Sequence, residues 1–335
     1  MRSNHITRLA GLIACLLLTI SASAQDERAQ AVLKQARAAL GGTALETVQS
    51  LAVSGTSRHF ARGSQEQIFE EQFELNFLLP DKFLKITTPP PPPGVSRAPK
   101  FTEGLNGDQH WFNVDSPEAD VIVAAPDKPV HTIAFKAEIQ GDRRAEWARY
   151  LLAFLLTTPA GFPVEWSYAG KAELDGRQAD ALEVKGQAGF AARLLLDEQS
   201  HLPLLLSYKS QGGAMGLAFA GGVGAGAGVR VAGIPAPSPG AKIAPAERAQ
   251  FFELAVPAVK TKAANETGFA IAVPAPGTMA EMEMQMRFAE YTSIGGLQLP
   301  QRLTITANGQ TEAEWDKLIW LPNVVFPADH FQPRK

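Results

Sequence analysis

The sequence has 335 residues, of which 45% are hydrophobic, and a formal net charge of −3 at pH 7. This length is enough for one large domain or two ordinary ones with a full hydrophobic core. The slightly acidic charge balance argues against a nucleic-acid-binding protein, because such proteins usually present a basic face.

The N-terminus has the pattern of a secretory signal peptide. Arg2 and Arg8 flank a short basic region, residues 9–20 form an apolar run, and residues 22–24 read Ala-Ser-Ala, an A-x-A cleavage site. The apolar run is too short for a comfortable membrane span. We therefore expect cleavage after Ala24, which would leave residues 25–335 as a periplasmic or secreted protein.

The only cysteine, Cys15, lies inside this segment. It follows Leu-Ile-Ala, which is similar to a lipoprotein-processing box, so an outer-membrane lipoprotein anchored through Cys15 is the alternative. The apolar run continues through residues 16–18, where a lipoprotein would normally turn polar, and this favours cleavage after Ala24. The mature chain then has neither a disulfide nor thiol chemistry.

The mature chain opens on one short helix and then changes to strands. Its first helix is predicted by apolar side chains at helical spacing, namely Ala29, Val32, Leu33, Ala36 and Leu40. From Val48 onward, polar and apolar residues alternate with the period of a strand. The strand at 67–79 places five large apolar side chains on one face, namely Phe69, Phe73, Leu75, Phe77 and Leu79. Glu71 interrupts that face.

Residues 134–156 break the strand pattern and predict the main helix. Its apolar side chains fall at i, i+3, i+4, i+7 and i+8, namely Trp147, Tyr150, Leu151, Phe154 and Leu155. Pro159 is expected to end the helix.

The stretch Glu281–Pro322 predicts an antiparallel meander. Met282, Met284, Met286 and Phe288 alternate with polar residues, so they share one strand face. Gly295-Gly296 and Asn308-Gly309 supply the turns, because these residues tolerate the positive φ angles of tight hairpins.

Two segments predict no regular structure. Five consecutive prolines at 89–93 favour a stiff, exposed loop, because proline cannot join a strand ladder. Residues from about 211 to 278 are rich in Gly, Ala and Pro, and offer little side-chain surface to offset the entropy cost of ordering. We expect a flexible insertion there, within a single domain that spans residues 25–335.

No catalytic or metal-binding motif stands out. The six histidines are scattered, and no cysteine in the mature chain can complete a zinc site. Ser54 and Ser57 precede His59 on one strand, but we expect adjacent strand residues to point apart and to make a poor Ser–His pair. The sequence therefore predicts a protein that is not an enzyme and has neither cofactor nor metal. A hydrolase with a dispersed site stays open as a third interpretation.

The strongest positive signal is the apolar face formed by Met282, Met284, Met286 and Phe288. Methionine is flexible and fills irregular or changing shapes, which suits acyl chains of varying length. The alternative is a filled core, in which this face packs on the main helix without any ligand. Both can hold if the helix is a lid that a lipid displaces.

Several segments resemble the periplasmic lipoprotein carriers of the LolA/LolB-like group. Leu194–Tyr208, LLLDEQSHLPLLLSY, resembles a hairpin in which an aspartate ends one strand and Leu-Pro opens the next. Gly104–Phe112, GLNGDQHWF, resembles their hairpin with a tryptophan after Asp-Gly. Ala36–Thr56 and Phe288–Trp320 resemble uncharacterised secreted bacterial proteins related to that group.

The resemblance implies a mainly β (α+β) fold, a curved antiparallel half-open β-barrel with a lid or plug helix and a short N-terminal helix. It also implies that lipid or lipidated protein is held inside the half-barrel. We further expect transient membrane contact and a monomeric protein. The expected ligand-binding face combines the sheet and the helix, namely Met282, Met284, Met286, Phe288, Phe73, Leu75, Phe77, Trp147, Leu151 and Phe154. No gating arginine aligns with this sequence, and Arg193 is only a position to test. The alternative function is a cell-envelope scaffold that binds protein partners through the proline run and the insertion.

Overall fold

The computed structural model describes residues 26–61, 63–91, 97–115, 121–124, 137–211, 269–272 and 281–333. The predicted signal peptide, with Cys15, lies outside these residues. So do the end of the proline run and all of the predicted insertion except its first residue, Gln211, and residues 269–272. The account below concerns the described ranges alone.

The chain is mainly strand, with three helices among the described residues. The helices are α1 (residues 26–40), α2 (Thr43–Glu46) and α3 (Ala137–Leu155). The first seven strands are β1 (Ser50–Phe60), β2 (Gln67–Leu78), β3 (Lys82–Thr88), β4 (Lys100–Asn106), β5 (Gln109–Asp115), β6 (Val121–Ala124) and β7 (Val164–Leu174). The other seven are β8 (Arg177–Gly186), β9 (Ala191–Asp197), β10 (Pro203–Gln211), β11 (Phe269–Ala272), β12 (Glu281–Ile294), β13 (Leu297–Ala307) and β14 (Gln310–Pro322).

Twelve of the strands form one antiparallel sheet. Its order is β5-β4-β3-β2-β1-β14-β13-β12-β10-β9-β8-β7. The sheet is curved but not closed into a barrel, so the predicted mainly β, half-open architecture is confirmed. The β14 strand pairs with β1, which brings the two ends of the chain together in the middle of the sheet. Strands β6 and β11 form a separate parallel pair.

The predicted meander is present, and its two turns lie at the predicted Gly-containing positions. Gly295 and Gly296 join β12 to β13 with φ angles of 61° and 84°. Asn308 and Gly309 join β13 to β14 with φ angles of 49° and 78°. All four angles lie in the left-handed region that these residue types tolerate at low cost.

The sheet has two unlike faces because side chains alternate along each strand. The face covered by α1 and α3, called the inner face here, carries the main hydrophobic core. The predicted helix at 134–156 corresponds to α3, whose last residue is Leu155. Leu156 has a φ of +51°, which ends the helix. Residues 134–136 lie outside the described ranges.

The opposite, outer face is covered locally by the C-terminal residues. Phe331 packs with Leu84 and Ile86 of β3 in a small buried cluster. The indole Nε1 of Trp111 donates a hydrogen bond to the carbonyl oxygen of Phe331 at 3.2 Å. On the inner face, α1 and α3 separate the large apolar surface from solvent.

Candidate functional site

All ten residues of the predicted binding face are buried. Eight of them belong to one apolar cluster, namely Phe73, Leu75, Phe77, Trp147, Leu151, Phe154, Met286 and Phe288. Met282 and Met284 lie instead in a second, smaller cluster with Ala307, against which Tyr208 and Ile305 pack. The structure thus brings the helix and sheet residues together. The apolar surface extends along β12 into a second patch, which Met282, Met284 and Ala307 form.

Aromatic contacts attach α3 to the sheet along its length. The Trp147 ring lies 4.4 Å from Phe83 of β3, centroid to centroid. The Tyr150 ring lies 5.9 Å from Trp315 of β14. Phe154 meets Trp320 edge-on at 5.0 Å. These separations fall in the range in which aromatic pairs add to the free energy of burial.

Just before Trp147, α3 is attached by charged groups instead. Lys85 Nζ of β3 lies 3.1 Å from Glu146 Oε1. Arg143 bridges two carboxylates, with Nη1 3.0 Å from Glu146 Oε2 and Nε 3.0 Å from Glu103 Oε1 of β4. His110 Nε2 of β5 lies 2.9 Å from the same Glu103 oxygen. These five residues are called the ionic network.

The environment of the network favours its charged forms. Burial opposes the charge on Glu146, but Lys85 and Arg143 outweigh it and lower the pKa of Glu146 to about 2. Burial likewise opposes the charge on Lys85, but Glu146, Tyr150 and Glu103 raise its pKa above the ordinary value. The side chains of Lys85 and Glu146 still expose 27% and 23% of their surface, so water remains close to the pair.

The C-terminal end of α3 is fixed more firmly. Arg37 of α1 donates a hydrogen bond from Nη2 to the carbonyl oxygen of Leu156 at 3.0 Å. This contact satisfies one of the carbonyls that a helix end leaves without an intrahelical partner. Leu152, Phe154 and Leu156 rank among the largest fully buried side chains. Among its described side chains, α3 therefore makes charged contacts at Arg143 and Glu146 and mainly apolar contacts from Trp147 onward.

A crevice of about 10 Å³ lies beside Trp147, between Phe77, Phe83, Leu105 and Leu151. This volume is enough for about one water molecule and not for an acyl chain. The indole Nε1 of Trp147 is buried and has no hydrogen-bond partner in the described part of the chain. An acyl chain can therefore enter this part of the inner face only if α3 moves.

A polar cluster on β1 and β2 corrects one sequence expectation. Ser57 and His59 do not point apart, because residues two apart on a strand share a face. Ser57 Oγ lies 3.0 Å from His59 Nε2, and Glu71 Oε1 lies 2.9 Å from the same nitrogen. A Ser–His–acid triad needs the serine and the acid on different ring nitrogens. This arrangement is therefore not a nucleophile–base relay.

Within the described residues, no group of three or more His, Cys, Asp or Glu side chains could hold a metal ion. No described helix combines the length and the apolar character needed to cross a bilayer. Arg193 lies 3.6 Å from Glu183 on the neighbouring strand and is half-exposed.

The sequence reasoning missed the ionic network. Arg143 and Glu146 continue the apolar stripe of α3, since they precede Trp147 and Tyr150 on the same helical face. Charged residues in line with a buried stripe were the available signal. Their partners Lys85 and Glu103 lie 61 positions before Glu146 and 40 positions before Arg143, so the pairing could not be deduced from local pattern.

The comparisons with known proteins concern the fold. No protein-family model matches this sequence, and no curated protein does. The structure is similar to a LolA superfamily protein from Nitrosomonas europaea, with a TM-score of 0.42, 10% identity, and coverage of 91% of this chain and 97% of that chain.

Two further solved structures are similar over the same extent. A DUF1329 family protein from Desulfovibrio piger has a TM-score of 0.43 and 12% identity, with coverage of 91% of this chain and 97% of that chain. A putative outer membrane lipoprotein-sorting protein domain from Vibrio parahaemolyticus has a TM-score of 0.42 and 10% identity, with the same coverage. The likeness to a LolA superfamily structure is one of fold alone.

Proposed function

We propose that this protein is a non-catalytic periplasmic carrier or sensor that holds acyl chains, of a lipid or a lipidated protein, on the inner face of its sheet. The observation that carries this proposal is the unequal attachment of α3. Two helices, α1 and α3, cover the apolar inner face, and part of the attachment of α3 is made by partly hydrated charges rather than by hydrocarbon.

Displacing such a helix costs less than exposing the same area of hydrocarbon. The charges of Lys85, Glu146 and Arg143 regain water when they separate, and this hydration offsets most of the lost attraction. The C-terminal end, fixed by Arg37 and the buried leucines, would act as the pivot. Acyl chains would then replace the apolar side chains of α3 over the sheet, with about 0.8 kcal/mol gained per buried CH₂ group.

The test is binding of a fluorescent fatty acid to mature protein, residues 25–335, with substitutions on either face of the sheet. Met284→Asp places a charge on the proposed binding surface, and Ile319→Asp places the same charge on the outer face, where the isoleucine is 60% exposed. We expect Met284→Asp to weaken binding at least about tenfold, because an unpaired charge in an apolar site is costly. We expect Ile319→Asp to bind as the wild type does.

Met284→Thr serves as a milder variant if Met284→Asp fails to fold. Circular dichroism and a thermal melt establish that each variant is folded. If folded Met284→Asp and Met284→Thr both bind the fatty acid as tightly as the wild type, the inner face is not the binding surface.

A second candidate is a cell-envelope scaffold with a filled core. The observation that favours it is a set of large apolar side chains exposed on the outer side, namely Ile319, Leu321 and Val325. Such a surface suits a protein partner. Loss of a co-purifying partner upon Ile319→Ser with Leu321→Ser, in a protein that binds no fatty acid, would favour this candidate.

A further inference from the structure

We propose that Ser57, His59 and Glu71 form a subsite for a protonated amine, which would be the headgroup of an amphiphile whose chain lies along the inner face. This inference rests on the proposed function and adds the chemical class of the ligand's polar end.

The three side chains lie on the inner face, beside the apolar core. Glu71 is the register partner of Ser57, and Ser57 is in turn the partner of Trp315. The Trp315 ring packs on Phe73 at 4.3 Å, and both belong to the main core. The polar cluster is thus part of the surface on which acyl chains are proposed to lie.

The hydrogen-bond geometry assigns the protons. An ionised carboxylate only accepts hydrogen bonds, so His59 Nε2 carries the hydrogen that it shares with Glu71 Oε1. Ser57 Oγ, 3.0 Å from the same nitrogen, is then a second acceptor of that hydrogen. Its own hydroxyl hydrogen remains to be donated. Glu71 Oε2 receives no hydrogen bond from the part of the chain that the structure describes.

When His59 is neutral, no cation among the described residues pairs with the Glu71 carboxylate. The Glu71 side chain is 12% exposed and His59 is 28% exposed, so the carboxylate is largely shielded from water. Arg58, the adjacent cation on β1, is paired with Glu314 and Asp316 of β14. A cationic group bound at Glu71 would compensate this charge, so a cationic headgroup would bind more tightly than an anionic one on the same chain.

A row of register partners leads away from His59 across the sheet. It continues through apolar residues of five successive strands, namely Ala313, Ile305, Met286, Leu206 and Leu194. Neighbouring strands lie about 4.8 Å apart, so the path from His59 to Met286 alone covers about 14 Å. An alkyl chain with its amine at Glu71 would follow this row beneath α3.

The test compares three probes of equal chain length, namely dodecylamine, dodecanol and dodecanoate, with the charged probes below their micelle concentrations and the alcohol below its solubility limit. Binding is measured by calorimetry on mature wild type, Glu71→Gln, Ser57→Ala and Glu74→Gln. Glu74 lies on the same strand but on the opposite face and is exposed. Glu74→Gln is therefore a matched control for the loss of one carboxylate.

We expect the wild type to bind dodecylamine about tenfold or more tightly than dodecanol, as one charge-assisted hydrogen bond allows. Glu71→Gln should lose this preference for the amine and keep its affinity for dodecanol. Ser57→Ala should show a smaller preference for the amine, and Glu74→Gln should show the same preference as the wild type. If the wild type binds amine and alcohol equally, or if Glu71→Gln keeps the preference, the subsite is refuted while the apolar binding surface stands. If no probe binds, the proposed function itself fails.

Discussion

Lys85 and Glu146 join the third strand to the main helix, with 3.1 Å between Nζ and Oε1. Arg143, one helical turn before Trp147, extends this contact to Glu103 and His110. Because the pair lies at the boundary between helix and sheet, its protonation state should report directly on how firmly α3 is docked.

The first prediction concerns acid stability. In the unfolded chain Glu146 titrates near pH 4.3, and in the folded protein its pKa is lowered to about 2. At pH values between these two pKa values, the unfolded state binds more protons than the folded state does. The stabilisation is therefore complete above about pH 4.3 and is lost as the pH falls towards 2.

Urea midpoints of wild type and Glu146→Gln should accordingly converge as the pH is lowered from 6 to 2.5. Other carboxylates with lowered pKa values, such as Asp180 and Asp197, contribute equally to both proteins and cancel in the comparison. Glu165→Gln, an exposed site, is the control and should follow the wild type. A difference between wild type and Glu146→Gln that does not vary with pH would contradict this role of Glu146.

The second prediction is that weakening the ionic network improves ligand binding. If α3 must leave before acyl chains enter, a variant with a more weakly docked helix has a larger fraction of molecules in the open state that can bind ligand. Its apparent Kd for the ligand is therefore lower. Glu146→Gln at neutral pH should bind a fatty acid about two- to tenfold more tightly than wild type, although it is less stable. Stopped-flow fluorescence should show faster association. Weaker binding in step with lower stability would argue against a displaceable helix.

The third prediction tests the apolar attachment of α3. Trp147→Ala removes a large buried side chain next to the existing crevice and should destabilise the protein by about 3–5 kcal/mol. Trp147→Phe should cost less, because much of the contact with Phe83 is retained. Val325→Ala, at a side chain that is 92% exposed, should change stability by no more than about 0.5 kcal/mol. Urea unfolding with an unchanged slope provides the measurement.

The fourth prediction concerns the outer face. A Cβ at Gly104 would overlap the ring of Trp111 on the neighbouring strand. Gly104→Ala should displace that ring, break its hydrogen bond to Phe331 and cost about 1–3 kcal/mol. It should also expose the C-terminal residues to limited proteolysis.

The double mutant Gly104→Ala with Trp111→Ala provides the control. If the overlap causes the loss, Gly104→Ala should cost almost nothing once the ring is absent. If Gly104→Ala lowers stability equally with and without the Trp111 ring, the loss comes from the backbone and not from the contact with Trp111.

Much of the fold could be predicted because its signals are local. The alternation from Met282 to Phe288 gives both the strand and the buried face, and all four side chains are buried. Asn308-Gly309 gives the hairpin, and the spacing from Trp147 to Leu155 gives the main helix. Each of these features depends on residues within a few positions of one another.

The polar parts of the inner face were not predictable in the same way. Glu71 looked like an interruption of an apolar strand, yet it is the partner of His59, twelve residues earlier. The partners of Arg143 and Glu146 come from β3 and β4 and are brought close only by the folded sheet. These contacts depend on how strands far apart in the sequence pair with one another, and a single sequence does not reveal that pairing.

The most direct test of the central claim is to identify what the inner face holds in the cell. Mature protein, residues 25–335, would be exported to a bacterial periplasm, purified without detergent, and analysed by native mass spectrometry and by mass spectrometry of its organic extract. The account predicts a lipid or lipidated peptide at about one per chain, and less of it in Met284→Asp. A protein that carries no lipid and also refuses added fatty acids and lipopeptides would contradict the account and would point to a permanently filled core.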